Sequence, residues 1–185
     1  SDHINAYLVS APEILMRKSS KPINGVTPMD RGDSAIDGGG LLLASSEAMQ
    51  LRADSPEAYK KFVRRYGGSE ELINGISRFC LWIEDGQAAE AENVSTISAR
   101  LMKARQMRAS SSKAQTRQAA NHAHRFGEIR HQESEYTVLV PRVSSENRDF
   151  LPVGLSEGGT IVGDRNFAIY DAPLWNMALI ASRLH

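Results

Sequence analysis

Cysteine, long apolar runs and net charge are all scarce in this chain of 185 residues. The single cysteine, Cys80, cannot form a disulfide within the chain or supply a cysteine-based metal site. No apolar run reaches the roughly 18 residues that a membrane-spanning helix needs, and no charged-apolar-small leader opens the sequence. These absences favour a soluble protein of the reducing cytoplasm, with no membrane partner.

The motifs of common catalytic and cofactor sites are also missing. Neither GxGxxG nor GxxxxGK[ST] is present, and the triple glycine at 38–40 has the wrong spacing for both. The sequence contains no Asn-Pro-Pro-aromatic tetrapeptide of the amino-methyltransferase type, no HExxH zinc motif and no GxSxG elbow. His122 and His124 are two positions apart, so they would not share one face of a helix. We therefore expect no catalytic residue and no metal site in this chain.

The zero net charge conceals an uneven distribution of charged residues. Residues 98–130 carry eight Lys or Arg and one Glu, a net charge of +7, between two regions with an acidic balance. A basic stripe of this kind is typical of a phosphate-binding face, although the solvated face of an ordinary helix has the same composition. At helical spacing only about half of its side chains would point towards one partner. The candidates for a phosphate grip are Arg100, Lys103, Arg105, Arg108, Lys113 and Arg117.

Apolar periodicity and turn residues predict strands, then helices, then a strand meander and a last helix. The predicted strands are 4–10, 13–16, 78–83, 126–130, 136–143, 148–155, 160–162 and 166–170. The predicted helices are 45–53, 55–66, 69–74, 94–124 and 171–185, with Ser45 or Ser46, Ser55, Ser69 and Asp171 as initiating residues. This order predicts an α+β fold with a mostly antiparallel sheet, a helical insertion in the middle of the chain and a C-terminal helix.

A polar segment follows the predicted strand 136–143. Its small or forked donors, Ser144, Ser145, Asn147 and Arg148, are suited to phosphate contacts that fix the register of a DNA duplex. Ser and Asn are equally good residues for a hairpin turn, and the two roles are compatible. Glu146 would repel phosphate, so we expect it to orient Arg148.

Arg130 is a second candidate for contact with DNA. It ends a predicted strand, and an arginine fork matches the two acceptors on the major-groove edge of guanine. The alternative is a surface arginine that forms an ion pair with Glu133 or Glu135.

Several blocks together resemble the target recognition domain of MmeI-like type IIG restriction–modification enzymes, which are also called type IIL enzymes. The two most specific blocks are 74-NGISRFCLW-82 and 141-PRVSSENRDFLP-152, which occur in the family's order and at family-like separation. The further matching pieces are 4-INAYLV-9, the Asp37–Leu43 stretch, 67-GGSEELI-73, 124-HRFGEIR-130, 138-VLV-140 and 171-DAPLWNMALIASRLH-185. The resemblance spans nearly the whole chain, but 121-NHAH-124 departs from the family's pattern.

In this family one polypeptide joins an endonuclease, an adenine-specific DNA methyltransferase and a DNA-reading domain. The resemblance implies that residues 45–185 form a non-catalytic target recognition domain for double-stranded DNA, whose reading surface continues beyond His185. Residues 1–44 would hold strands and a long loop, 18–40, that leads to the methyltransferase domain. S-adenosylmethionine and magnesium are implied for the parent protein, and no cofactor for this chain.

The expected DNA-binding residues combine the pattern with the resemblance. They are Arg105, Arg108, Lys113, Arg117, Arg130, Ser144, Ser145, Asn147 and Arg148. A different class of function stays open: a protein-interaction or scaffold domain in which the basic block is a solvated helix. Salt separates the two, because phosphate binding releases counterions and weakens steeply with ionic strength.

Overall fold

The computed structural model describes Ser10, Ser19, Lys21, Pro22 and residues 25–182. Within these residues the strands form two four-stranded sheets, in the orders β1-β8-β5-β6 and β2-β4-β3-β7. The strands are β1 (Asp30–Arg31), β2 (Leu42–Ala44), β3 (Val63–Gly67), β4 (Arg78–Leu81), β5 (Tyr136–Pro141), β6 (Gly154–Glu157), β7 (Ile161–Val162) and β8 (Asn166–Tyr170). Every pairing is antiparallel except that of β3 with β7.

Of the seven described α-helices, six precede β5 in the chain and the seventh follows β8. They are α1 (Ser45–Asp54), α2 (Pro56–Phe62), α3 (Ser69–Asn74), α4 (Ala88–Glu92), α5 (Ser95–Ala109), α6 (Ala114–Gln118) and α7 (Leu174–Ile180). A 3-10 turn at Asp85–Gln87 precedes α4, and a second at Ala119–His122 follows α6. The predicted α+β class, with a mostly antiparallel arrangement, a helical insertion and a C-terminal helix, is confirmed. No described helix is long and apolar enough to cross a bilayer.

The largest core cluster lies between the second sheet and the helices. Leu41, Phe62, Leu81 and Leu101 are fully or almost fully buried there. Helix α5 joins this core through Ile97 and Leu101, and its other buried residues, Ala104 and Arg108, lie on the same face at helical spacing.

The first sheet is packed on both faces. Val138, Val140 and Ile169 pack with Met177 and Ile180 of α7 on one face. On the opposite face Leu139, Val162, Ala168 and Tyr170 form a cluster that includes β7, a strand of the second sheet. The two sheets are thereby joined through a shared apolar layer.

The N-terminal strands belong to the same folded unit as the residues after 45. β1 pairs with β8, and β2 pairs with β4. Leu41 and Leu43 are buried in the main core. Residues 30–31 and 42–44 therefore pair with strands from later in the chain, and the predicted loop 18–40 contains β1. The strands predicted at 4–10 and 13–16 fall outside the described residues, apart from Ser10.

The helix predicted across 55–66 is wrong at its C-terminal half. Helix α2 ends at Phe62, and residues 63–67 form β3 between β4 and β7. Apolar residues at Tyr59, Phe62, Val63 and Tyr66 fit a helical stripe, but pairing with distant strands gives residues 63–67 backbone partners that a local pattern does not reveal.

Three other predicted boundaries also differ. The 126–130 segment is not a strand and contributes one isolated bridge, between Glu128 and Ser34. The strand predicted at 148–155 begins only at Gly154. Asp171 does not initiate α7: its backbone has φ of 49° and its carboxylate accepts from the backbone N–H groups of Glu135 and Tyr136.

Candidate nucleic-acid interface

Arg108 is a structural residue, and its predicted role in gripping phosphate is wrong. Its side chain is only 1% exposed. The guanidinium donates to the backbone carbonyls of residues 35, 36, 119, 122 and 125, at distances from 2.6 to 3.2 Å. Burial lowers its pKa from the ordinary arginine value, and the nearby Asp37 opposes that effect. A guanidinium enclosed in this way ties α5 to the segments around it and is not available to DNA.

The rest of the basic block is also largely engaged within the protein. Arg100 donates to the carbonyls of residues 39, 40 and 42 and pairs with Glu47 at 2.6 Å. Arg105 pairs with Glu92 at 3.0 Å. Arg117 donates to the carbonyls of Ser111 and Ser112 at 2.9 and 2.7 Å. The +7 block is therefore not a uniform phosphate-binding face.

Lys113 and Arg117 remain solvent-exposed. Within the described part of the chain Lys113 forms no ion pair, so its charge is open to an anionic partner. Arg105 and Arg117 keep part of their donor capacity, because each guanidinium has five N–H groups. These three residues stay as candidates for contact with DNA.

The segment after β5 is an exposed polar turn. The backbone N–H of Arg148 donates to the Ser145 carbonyl at 3.2 Å, and that of Asn147 donates to the Ser145 Oγ at the same distance. The side chains of Ser145, Asn147 and Arg148 are exposed, whereas the Ser144 Oγ is enclosed and has no hydrogen-bond partner among the described residues. The turn thus presents three donor side chains to solvent.

Glu146 does not orient Arg148. No hydrogen bond or ion pair joins the two side chains, although both are described. The backbone of the turn, rather than this carboxylate, sets the direction of the Arg148 Cα–Cβ bond. The Arg148 guanidinium forms no ion pair with any described residue, so its charge is free to meet phosphate.

Arg130 lies against two carboxylates that are not its predicted partners, those of Asp30 on β1 and of Glu128, two residues before it. Its guanidinium is 3.4 Å from the Asp30 carboxylate and 3.6 Å from that of Glu128. Neither Glu133 nor Glu135 pairs with it. Its side chain is 39% exposed, so the fork is held at the surface between two acids and is partly open to solvent.

The backbone at Arg130 is held in position by the side chain of Asp33, which is fully buried. One carboxylate oxygen accepts from the backbone N–H groups of Arg130, at 2.5 Å, and His131, at 3.0 Å. Burial raises the pKa of Asp33 above its ordinary value, and the two backbone hydrogen bonds partly oppose the rise. Sequence reasoning missed this residue, because nothing in the local pattern around 33 distinguishes it from other loop aspartates.

His131 anchors the other side of this backbone. Its ring makes edge contacts with Trp82, at 5.6 Å between centroids, and with Tyr170, at 5.9 Å. Burial lowers the pKa of His131, and the charge of Asp33 opposes that shift. Arg130 therefore projects from a backbone that a carboxylate and a packed imidazole hold in one position.

Two further arginines, which no pattern in the sequence selected, are linked to these candidates. Arg31 on β1 forms an ion pair with Glu128, the same carboxylate that faces Arg130. Its cross-strand partner on β8 is Phe167, and the guanidinium of Arg142 lies over the Phe167 ring at 5.8 Å. In the chain Arg142 stands two residues before Ser144, the first residue of the polar turn. We call Arg31, Arg130, Arg142 and Arg148 the arginine surface.

Among the described residues no group of three or more His, Cys, Asp or Glu is placed to hold a metal ion. Cys80 is buried, and burial raises the pKa of its thiol, so this sulfur is not an activated nucleophile. The arginine, serine and asparagine side chains of the arginine surface and the polar turn can donate hydrogen bonds to a ligand.

Comparison with known proteins agrees with this chemistry. The family model described as "MmeI, target recognition domain" matches residues 10–185. DNA methyltransferase A of Bacillus subtilis (strain 168) is 32% identical over 186 residues, which cover 99% of this chain and 21% of that protein. The solved structure of the type IIL restriction–modification enzyme MmeI in complex with DNA matches with a TM-score of 0.82 and 30% identity, over 100% of this chain and 24% of that one. This chain thus spans less than a quarter of the length of either relative.

Proposed function

Because this chain belongs to the MmeI target recognition domain family, we propose that it reads a short sequence of double-stranded DNA for a restriction–modification enzyme. One observation carries the proposal: the fold matches, over 100% of its length and with a TM-score of 0.82, part of an enzyme whose solved structure is a complex with DNA. At 30% identity the likeness extends beyond the fold to the sequence.

We propose further that the parent polypeptide carries an adenine-specific DNA methyltransferase and an endonuclease, and acts in the cytoplasm. A methyltransferase is also the printed name of the relative from Bacillus subtilis. S-adenosylmethionine and magnesium would serve those other parts of the parent. This chain would direct them to a site, with the N-terminal residues 1–44 leading to the methyltransferase domain.

The geometry supports two kinds of contact. Arg130 has a fixed backbone and a partly neutralised guanidinium, which suits a residue that must match one base edge and not bind every phosphate equally. Ser145, Asn147 and Arg148 lie on an exposed turn, and Arg148 forms no ion pair with a described residue. Such side chains suit contacts that fix the register of the duplex. Lys113, Arg105 and Arg117 would add weaker contacts with phosphate.

Selection of duplexes from a randomised pool tests this proposal. The chain is immobilised, bound duplexes are recovered at several salt concentrations, and their sequences are read. We expect duplex binding that weakens as salt rises, with a dissociation constant of about 10⁻⁴ to 10⁻⁶ M for unselected DNA at physiological salt. We also expect enrichment of a short motif. A chain that binds no duplex at low salt, or that binds with no dependence on salt, would instead support the scaffold alternative.

A further inference from the structure

Arg142 differs from the other arginines near the proposed DNA-reading residues in how it is held. Its guanidinium lies over the ring of Phe167, 5.8 Å from the centroid. One of its terminal nitrogens donates to the backbone carbonyl of Asp164 at 3.0 Å. The backbone N–H of Arg142 also donates to the carbonyl of Arg165, at 2.9 Å, just beyond the β5–β8 ladder. Both the backbone and the guanidinium of Arg142 are therefore held by neighbouring groups.

The positive charge of Arg142 is not neutralised within the described residues. Arg31 and Arg130 both face the carboxylate of Glu128, and Arg105 faces that of Glu92. The partners of Arg142 are by contrast a carbonyl oxygen and an aromatic face, neither of which carries a full charge. The carbonyl uses one of five N–H groups, and the side chain is solvent-exposed, so donors remain on the outer edge.

The support under Arg142 is rigid. Phe167 lies in β8, is partly buried and packs with Val138, Val140 and Ile169 on the α7 face of the first sheet. An arginine laid on such a ring loses less conformational freedom on binding than a free surface arginine, because its plane is already set. A planar fork with a fixed direction matches two oxygens of a phosphate group.

We propose that Arg142 is a phosphate-contacting residue of the DNA interface, held ready by Phe167 and the Asp164 carbonyl. This inference rests on the proposed function. It adds Arg142 to the two arginines already proposed as contacts, Arg130, which pairs with Asp30 of β1, and Arg148, which lies on the turn that follows Arg142 in the chain. In this arrangement Arg142 and Arg148 carry the phosphate contacts of the arginine surface, while Arg31 balances the carboxylate of Glu128.

The test measures duplex binding by the whole chain as a function of salt, for wild type and for Arg142→Gln. Gln keeps a side-chain donor for the Asp164 carbonyl but removes the charge. Arg52→Gln is the matched control, since Arg52 is also exposed, also lies over an aromatic ring, that of Tyr59, at 5.7 Å, and is not among the proposed DNA contacts. Loss of one phosphate contact should reduce the slope of log K against log salt by about one, with the same effect on every duplex sequence. Arg52→Gln should change the slope by clearly less than Arg142→Gln.

A second variant separates the charge from its support. Phe167→Leu keeps an apolar side chain in the core but removes the ring. It should retain the wild-type salt slope and weaken binding about two- to fivefold, because the charge is present but less well positioned. Thermal unfolding of each variant is recorded, and binding is compared at temperatures where all are folded.

The outcomes separate this inference from the proposed function. If wild type binds no duplex, the proposed function fails, and this inference with it. If wild type binds and Arg142→Gln keeps its slope, Arg142 only packs at the end of the sheet, and this inference alone is overturned. Equal losses of slope for the Arg142 and Arg52 variants would also overturn it, since any lost charge would then have the same effect. A selective loss for Arg142→Gln supports it.

Discussion

The buried carboxylate of Asp33 accepts a hydrogen bond of 2.5 Å from the backbone N–H of Arg130. The two residues are 97 positions apart in the chain. Asp33 lies at the joint between the sheets, where its own N–H donates to Val162 of β7. The residue proposed to read a base is thus tied to the interior of the fold, and its side chain reaches outward from a fixed origin.

Asp33→Ala should destabilise the protein strongly. The change removes the acceptor for two shielded backbone N–H groups, those of Arg130 and His131, and each unsatisfied group costs about 1–3 kcal/mol. We expect a loss of about 2–4 kcal/mol in the free energy of unfolding, measured by urea denaturation. Asp33→Asn keeps one acceptor oxygen and should lose about 1 kcal/mol or less. Equal losses in the two variants would contradict the role of that oxygen.

Arg108→Met should lower stability without acting directly on DNA binding. The change leaves the carbonyls that surround the guanidinium without their donor, and hydrogen bonds to charged groups contribute about 1.5–3 kcal/mol each. We expect a loss of at least about 3 kcal/mol in the free energy of unfolding. Arg105→Ala, which breaks an exposed pair, should change it by about 0.5 kcal/mol or less. Similar melting of the two variants would show that Arg108 is not the anchor described above.

His131 should make stability fall in mild acid. Its folded pKa is lowered from 6.5, so the unfolded chain binds the proton more readily than the folded protein does. The stability that the neutral, buried imidazole allows is fully present above pH 6.5 and is lost as the pH falls from there towards the folded pKa. The groups that act on its charge are Asp33 and Glu133, which raise the pKa, and Arg64, which lowers it.

The measurement is the free energy of unfolding from about pH 5 to pH 8, for wild type and His131→Phe. Phenylalanine keeps an aromatic ring against Trp82 and Tyr170 and does not titrate. The free energy of unfolding of the wild type should fall relative to that of His131→Phe only on the acid side of this range. Two curves that run parallel across this range would mean that His131 is not the group responsible.

In the proposed full-length enzyme Arg148→Ala and Arg130→Ala should have different effects. Arg148→Ala should reduce modification at every site alike, and should lower the salt slope of binding by about one. Arg130→Ala should cost about 1–3 kcal/mol on the correct site and relax the choice of base at one position, or abolish recognition. Sequencing of methylated bases from cells that carry each variant gives the result.

Both variants must first melt like the parent, because a turn residue can act through folding. If Arg148→Ala shifts the recognised sequence while Arg130→Ala leaves it unchanged, the two assignments are wrong. If both variants keep activity and motif, segment 144–148 is an ordinary hairpin turn.

This chain alone should not bind S-adenosylmethionine. It lacks a glycine-rich phosphate loop and the Asn-Pro-Pro-aromatic motif, so the methyl donor has no recognisable site in it. Calorimetric titration should show no heat of binding. A dissociation constant in the micromolar range would mean that the chain is more than a recognition domain.

The sequence by itself determined the class of the fold and the face that α5 buries. Ile97, Leu101 and Ala104 recur at helical spacing, and that spacing alone sets which side of the helix meets the core. Helix α3 covers the predicted residues 69–74, and Gly75 follows it with a left-handed φ of 66° that glycine adopts without strain. Blocks of residues that occur in the family's order also identified the target recognition domain, because these blocks can be recognised in the sequence alone.

Only the tertiary structure decided the roles of individual charged residues. In the sequence Arg105 and Arg108 belong to the same basic block. The guanidinium of Arg108 is buried and donates hydrogen bonds to five backbone carbonyls, whereas Arg105 forms an ion pair with the exposed Glu92. Arg130 meets Asp30 and Asp33, which lie about a hundred residues earlier, as well as the nearby Glu128. The predicted partners Glu133 and Glu135 do not pair with it. Likewise residues 63–67 became β3 because β4 and β7 pair with them. Periodicity reports which way a side chain points along one element, whereas burial, ion pairing and strand pairing depend on elements brought together from distant parts of the chain.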